Sequence, residues 1–295
     1  MRVCFTGRNR AGSWIVRGAQ MSRQRANWYG AQDISDLDLD AYDIFCFVKR
    51  PLLEVQERLL QAGKILVLDV VDGWAQPDDT LRVHSRADAQ AVFRERWQEL
   101  LPFHAHILAN RAMYTDLRPL TRNATYIYHH SNPILAPHPI RPEVSTVAYE
   151  GNESYLGAWR EVIERLCAAR GLRFLVNPTD YAEIDIGFAA REGESAGYLP
   201  NRYKSNVKLA NFLALGTPCI VSSADVSYQE TDPGGVRFFA TEQQLERQLD
   251  RLLDYDLRQA IHECFCSAAP LFSIERITKV YEHFFLELLR RLRHP

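Results

Sequence analysis

Arg202, Lys204 and Lys208 fall within seven residues of one another, with Ser205 and Asn206 between them. Immediately after them Leu209, Phe212, Leu213 and Leu215 recur at helical spacing, supported by Ala210 and Ala214. Gly216 supplies a stop, Pro218 bars continuation, and residues 219–221 read as a buried strand. With Ser205 or Asn206 as the cap, the open backbone amides of the helix start would point toward Arg202 and Lys204, which suits an anion such as a phosphate. The same residues also suit a solvated basic loop before an ordinary amphipathic helix, and the stretch alone leaves both readings open.

A second group stands at the end of the apolar run 65–71, where Asp72, Gly73 and Trp74 follow one another. An acid, a turn-permitting glycine and a stacking ring suit a general base beside a sugar or base. Asp72 as the cap of a following helix is the alternative. Gly12 and Ser13 follow the first strand, residues 2–6, and read either as a phosphate-approaching turn or as a plain turn with a cap. His129 and His130 end a strand expected at 125–128. Adjacent strand residues face opposite sides, so the pair does not suit one metal; a ligand contact and packing at a domain junction are both open.

The elements that must position these residues alternate. Strands are expected at 2–6, 31–34, 44–48, 65–71, 105–109 and 125–128, with helices at 15–25, 52–61 and 87–100. After four prolines between 133 and 142, a second series follows: strands at 145–151, 173–176, 185–189, 219–221 and 236–239, and helices at 155–170 and 242–255. Such alternation implies an α/β chain with parallel sheets, whose ligand crevices lie beyond the carboxyl ends of the strands. The expected domains are 1–138 and 139–272, followed by a helix within 273–295 whose stripe of Ile277, Val280, Tyr281, Phe284, Phe285, Leu288 and Leu289 demands a partner. G-x-G-x-x-G is missing after the first strand, which counts against a dinucleotide oxidoreductase.

Composition narrows the partners. The 295 residues are 46% hydrophobic and 24% charged, with a formal net charge of −2, so there is no basic field for nucleic acid and anion binding must be local. No apolar run is long enough to span a membrane, and with the first strand starting at Arg2 no secretory leader is expected, which favours a cytoplasmic protein. Six cysteines without C-x-x-C pairing read as buried thiols, and neither they nor the aspartates of 36–43 suit a metal.

The stretch Lys208-Leu209 through Ala214, Gly216 and Pro218 to the Ser227-Tyr-Gln-Glu230 turn resembles the donor-binding segment of GT-B glycosyltransferases, especially those of family 4. The resemblance implies two Rossmann-like domains facing across a cleft, with the terminal helix crossing back to the first. It implies a glycosyltransferase of polysaccharide biosynthesis that uses a UDP-, GDP- or CMP-sugar as co-substrate, with no cofactor and no metal, and a glycan or lipid-linked glycan as acceptor. Retention of configuration goes with the resemblance, and peripheral contact with the inner face of the membrane stays open. Catalytic roles then fall to Asp72, Lys204 and Lys208. Donor contacts fall to Gly12, Ser13, Gly151 and Asn152 at strand ends, and to Arg191, Glu194 and Arg202 in the loops. Ser205, Asn206, Asn211, Tyr228 and Glu230 complete that set, and Trp74, His129 and His130 face the acceptor. Asn211 departs from the family, which places there a glutamate that holds the ribose hydroxyls. A rival reading is therefore a non-catalytic GT-B-like subunit that binds nucleotide or glycan.

Overall fold

The computed structural model describes residues 1–7, 12–49, 51, 53–73, 83–98, 100, 102–192 and 197–293. The chain forms two compact units. The first comprises Met1–His129, Tyr203–Ser205 and the segment from Ile274 onward; the second comprises His130–Arg202 and Asn206–Ser273.

In the first unit six strands form one sheet. In chain order they are β1 (Val3–Thr6), β2 (Trp28–Gly30), β3 (Ile44–Val48), β4 (Ile65–Asp69), β5 (Ala105–Leu108) and β6 (Ala124–Tyr126). Their spatial order is β2-β1-β3-β4-β5-β6, and every pairing is parallel. The central strands β3 and β4 are apolar except for the closing Asp69 because a parallel sheet is covered on both faces. The terminal helix Ile274–Arg293 supplies part of that cover: Ile277, Tyr281, Phe285 and Leu288 join Val3, Phe5, Trp28 and Ile44 in one core.

Several expectations change in this unit. The second strand is Trp28–Gly30 rather than 31–34, because Trp28 packs on Phe5 (centroids 5.4 Å apart) and on Phe285 (6.0 Å), which sets the register Val3 opposite Trp28. The first helix begins earlier, at Gly12–Trp14, and continues as a π-helical turn over Ile15–Gln20. Gly18 is required there, since a Cβ would stand 2.3 Å from the Trp14 ring. A helix not expected, Arg111–Leu117, starts after β5, where the Asn110 side chain accepts from the Met113 N–H at 2.8 Å.

The second unit holds a five-stranded parallel sheet. Its strands are β7 (Thr146–Tyr149), β8 (Arg173–Val176), β9 (Ile186–Ala189), β10 (Cys219–Ser222) and β11 (Arg237–Phe239), in the spatial order β11-β10-β9-β7-β8. The helix Val207–Leu215 is not amphipathic: every residue from Leu209 to Leu215 is buried. It ends as its sequence predicts, with Gly216 left-handed at φ 67° and the N–H of Thr217 donating to the Phe212 carbonyl at 2.9 Å. A short helix, Tyr198–Tyr203, occupies the expected basic loop, and another, Val226–Thr231, replaces the expected turn. The helix expected over 242–255 stops at Arg251, and Asp254 caps a second one, Tyr255–Ala268, by accepting from the Leu257 N–H at 2.7 Å. No helix among the described residues is long and apolar enough to cross a membrane.

Candidate functional site

In the first unit the carboxyl ends of the neighbouring strands β3 and β4 bring Lys49 and Asp72 together. The Lys49 ammonium stands 3.0 Å from Asp72 Oδ1, and the Lys204 ammonium lies 3.4 Å from Oδ2. Both lysines and the acid are mostly buried, so the three charges act on one another through little water. Lys204 is held in turn: its carbonyl accepts from the Asn110 amide at 3.0 Å, and the preceding Tyr203 donates its hydroxyl to Asp116 at 2.9 Å.

The backbone that presents this cluster is left-handed at two ordinary residues, Lys49 (φ 69°) and Val71 (φ 65°). Such a conformation costs about 1–2 kcal/mol for an L-residue with a side chain. It ends β4 at Asp69, two residues earlier than its apolar run suggests, and turns Asp72 back onto Lys49. Asp69 stabilises the turn by accepting the Val71 N–H at 3.2 Å. Behind it lies a fully buried network in which the Arg17 guanidinium donates to the Tyr281 hydroxyl and the Ile127 carbonyl, while Tyr281 donates to Asp69. Burial pushes the Asp69 carboxyl up against the pull of Arg17. His129 is part of this network, with Nδ1 3.2 Å from Arg17 Nη2.

In the second unit the corresponding sheet end gathers Tyr149 closing β7, Glu150 and Gly151 after it, Arg191 after β9, and Lys208 in the first turn of Val207–Leu215. The Lys208 stem reaches the surface, yet its ammonium is buried and has no hydrogen-bond partner. It lies 3.7 Å from the centroid of the Tyr149 ring. Burial, and then the like charge of Arg191, push its pKa well below the ordinary 10.5, with Glu150 opposing. Arg191 pairs with Asp225 and stands over the Tyr228 ring, 5.8 Å from its centroid, but its buried Nε is unpaired. Burial raises the Tyr149 phenol to about 12, so this ring stays neutral.

Gly151 is needed here for room as well as for its φ of 126°: a Cβ would come within 3.1 Å of the Lys208 Cε and Nζ. Asn206 occupies the cap position of Val207–Leu215 and makes no capping bond through its side chain, contrary to expectation. A buried ammonium without a hydrogen-bond partner, beside a second cation and a helix start that the Asn206 side chain does not cap, suits an anion in its electrostatics.

The remaining expected residues take separate places. Arg202 stands over the Tyr198 ring at 5.7 Å, Lys204 pairs with Asp72, and Lys208 lies on Tyr149. Asn152 accepts from the Ser154 N–H and hydroxyl, closing a short 3-10 turn over Glu153–Tyr155. Asn211 is buried and bonded through both ends of its amide. Tyr228 is buried, and Ser205 and Glu230 are partly exposed. Gly12 and Ser13 form the first turn of a helix rather than a loop, and Gly12 has open space at its Cα. His129 and His130 lie beyond β6, not on a strand; both are buried, and His130 Nδ1 is 2.7 Å from the Ser131 carbonyl. Trp74 and Glu194 lie outside the described residues. No group of three or more His, Cys, Asp or Glu placed to hold a metal occurs among the described residues.

Lys49, Tyr149, Glu150 and Asp225 were not anticipated. For the first three a signal was present, since each is a polar or aromatic residue closing or following an apolar strand at its carboxyl end. Asp225 carries no such mark.

No protein-family model matches the chain, and no curated protein matches its sequence. Solved structures do. HepE from Anabaena, in complex with UDP and glucose, superposes with a TM-score of 0.65 at 13% identity, covering 97% of this chain and 100% of that one. An α,α-trehalose-phosphate synthase (UDP-forming) from Burkholderia vietnamiensis gives 0.60 at 10% identity, covering 98% and 100%. The trehalose-6-phosphate synthase OtsA gives 0.56 at 12% identity, covering 86% and 73%. The two parallel α/β sheets and the long terminal helix are thus the GT-B glycosyltransferase fold. At these identities the likeness is one of fold.

Proposed function

We propose that the protein is a glycosyltransferase of the family 4 kind, which moves a sugar from a nucleotide-sugar donor to a glycan or glycoconjugate acceptor. The observation that carries this reading is the buried ammonium of Lys208, in the first turn of Val207–Leu215, which has no hydrogen-bond partner and lies beside Arg191. The site is costly when empty and electrostatically satisfied by a phosphate.

In this reading the bond between the anomeric carbon and the donor phosphate oxygen breaks, and an acceptor oxygen bonds to that carbon. Lys208, Arg191 and the first-turn amides stabilise the negative charge growing on the leaving phosphate, which assigns to side chains and backbone the work a metal would otherwise do. Transfer proceeds with retention, as the family resemblance implies, and the leaving phosphate takes the acceptor proton. Asp72, held by Lys49 and Lys204, orients the acceptor hydroxyl. UDP-sugars are the first donors to try because HepE was solved with UDP and glucose; GDP- and CMP-sugars follow.

Calorimetric titration with UDP, GDP and CMP, joined to a donor-hydrolysis assay, tests the reading. Binding of one nucleotide with turnover of its sugar derivative supports it, and proton NMR of the transferred sugar's anomeric configuration reports retention. Binding without turnover of any donor would leave a non-catalytic subunit, and no binding would remove the site.

A further inference from the structure

A cavity of about 520 Å³ opens on the first unit beside its edge strand β2, within the range of about 300–1,000 Å³ of ordinary small-ligand sites. Arg2 directly precedes β1, Asn27 directly precedes β2 and Tyr42 stands two residues before β3, and all three line it. Since these strands run parallel, the cavity marks the amino end of the sheet, whereas Lys49 and Asp72 follow β3 and β4 at the carboxyl end. The transfer chemistry uses none of its residues.

Its lining is aromatic and polar together. Strand alternation sends Trp28 into the core against Phe5 and Phe285 and turns Tyr29 outward, 46% exposed. Among the described residues only one other aromatic, Tyr255, is comparably exposed. The Tyr29 ring lies 5.9 Å from that of Tyr42, 35° from parallel, and Tyr42 meets Phe45 edge-on at 5.8 Å. Beside the rings, the exposed Arg2 donates through Nη1 to the Ala41 carbonyl at 3.5 Å, and the Asn27 amide donates to the Met1 carbonyl at 2.5 Å. Aromatic faces next to a guanidinium and an amide match a sugar, whose C–H face packs on a ring while the hydroxyls around its edge take up polar partners. An added peptide strand fits less well, because β2 offers only three residues for pairing.

We propose that this cavity is a second saccharide site, in which the Tyr29 and Tyr42 rings carry a sugar ring and Arg2 bonds its hydroxyl or carboxylate oxygens. Set at the other end of the sheet from Asp72, it holds a glycan chain by a segment other than the one being extended. The binding stands apart from the transfer reading; the role of the held chain as an acceptor rests on it.

The test is calorimetric titration with maltohexaose, cellohexaose, chitohexaose and hexagalacturonate, joined to hydrogen exchange of the backbone amides. At least one of these saccharides should bind the parent and protect the amides of residues 26–30 and 41–43. Tyr29→Ala, at an exposed position, should weaken that binding about tenfold or more, as loss of an aromatic platform implies, and Arg2→Ala should weaken it as well, most for hexagalacturonate. Nucleotide affinity and donor hydrolysis should match the parent in both variants. No binding of any of the saccharides, binding unaltered in Tyr29→Ala, or protection confined to the carboxyl end of the sheet would overturn the proposal. Saccharide binding with these signatures in a protein that binds no nucleotide and hydrolyses no donor would overturn the transfer reading and keep this site.

Discussion

The Lys208 ammonium lies 3.7 Å from the centroid of the Tyr149 ring and makes no hydrogen bond there. A desolvated cation–π contact returns about 2 kcal/mol. Burying an ion costs several kcal/mol even after relaxation. The empty site thus carries a deficit that an anion cancels.

Replacing the cation by a neutral side chain of similar length should expose that deficit. Lys208→Met is expected to stabilise the empty protein by about 1–3 kcal/mol, the cost of an unsatisfied buried group, while nucleotide affinity falls. Denaturant titration and calorimetry on the same samples check both. A variant that is less stable and binds as before would sever the link between Lys208 and the ligand.

The same residue predicts a pH dependence. Its folded-state pKa lies below 10.5, the ordinary value that holds when unfolded. Between the two values the unfolded chain binds a proton that the folded one lacks, so this group's destabilisation is full below the folded pKa and fades as pH rises toward 10.5. A bound phosphate raises the pKa, so within that window binding takes up a proton and affinity falls as pH rises. Titrations at a series of pH values below 10.5, in buffers of different ionisation enthalpy, should show this uptake grow as pH rises above the folded pKa. Lys208→Met should abolish it.

Asp72 is expected to serve transfer rather than nucleotide binding. Asp72→Asn keeps the shape and removes the charge that Lys49 and Lys204 share. Because the leaving phosphate takes the proton and Asp72 orients the acceptor, the substitution should lower kcat by less than the about 10²–10⁴-fold of a proton-transfer group. Nucleotide affinity should stay within about twofold, a change smaller than one ordinary hydrogen bond. Unchanged turnover would reduce Asp72 to a partner for two lysines.

Tyr281→Phe removes one oxygen that both accepts from Arg17 and donates to Asp69. With both partners fully buried, a loss of about 1–3 kcal/mol is expected, seen as a lower midpoint in denaturant with an unchanged slope. A midpoint equal to the parent's would mean that Arg17 and Asp69 satisfy each other without the phenol.

Elements set by a dense local pattern were legible in the sequence: the apolar runs of β3 and β4, the Gly216–Pro218 stop, and the stripe of the terminal helix. The left-handed turns at Lys49 and Val71 were not, because a positive φ at a residue with a side chain answers to tertiary forces and leaves no local mark. The break before Asp254 was hidden by a helical pattern that runs through it. In the site, Lys208 could be singled out from its place before an apolar helix. Its ring partner Tyr149 and the pairing of Arg191 with Asp225 come from distant parts of the chain, and spacing cannot report them. The engagement of Asn211 with Glu150 is of the same kind.

The chain passes from one unit to the other after residues 129, 202, 205 and 273. No single cut can therefore separate them. A fragment ending at residue 129 would carry all six strands of the first sheet and lack three side chains that complete it: Tyr281 for Arg17 and Asp69, Phe285 for Phe5 and Trp28, and Tyr203 for Asp116. Such a fragment would expose the face that the terminal helix covers, and a buried ion pair with it, which is the composition of an aggregating intermediate. Expressing the first unit by itself calls for rejoining its three segments, and synthesis of the last helix is the step that completes it.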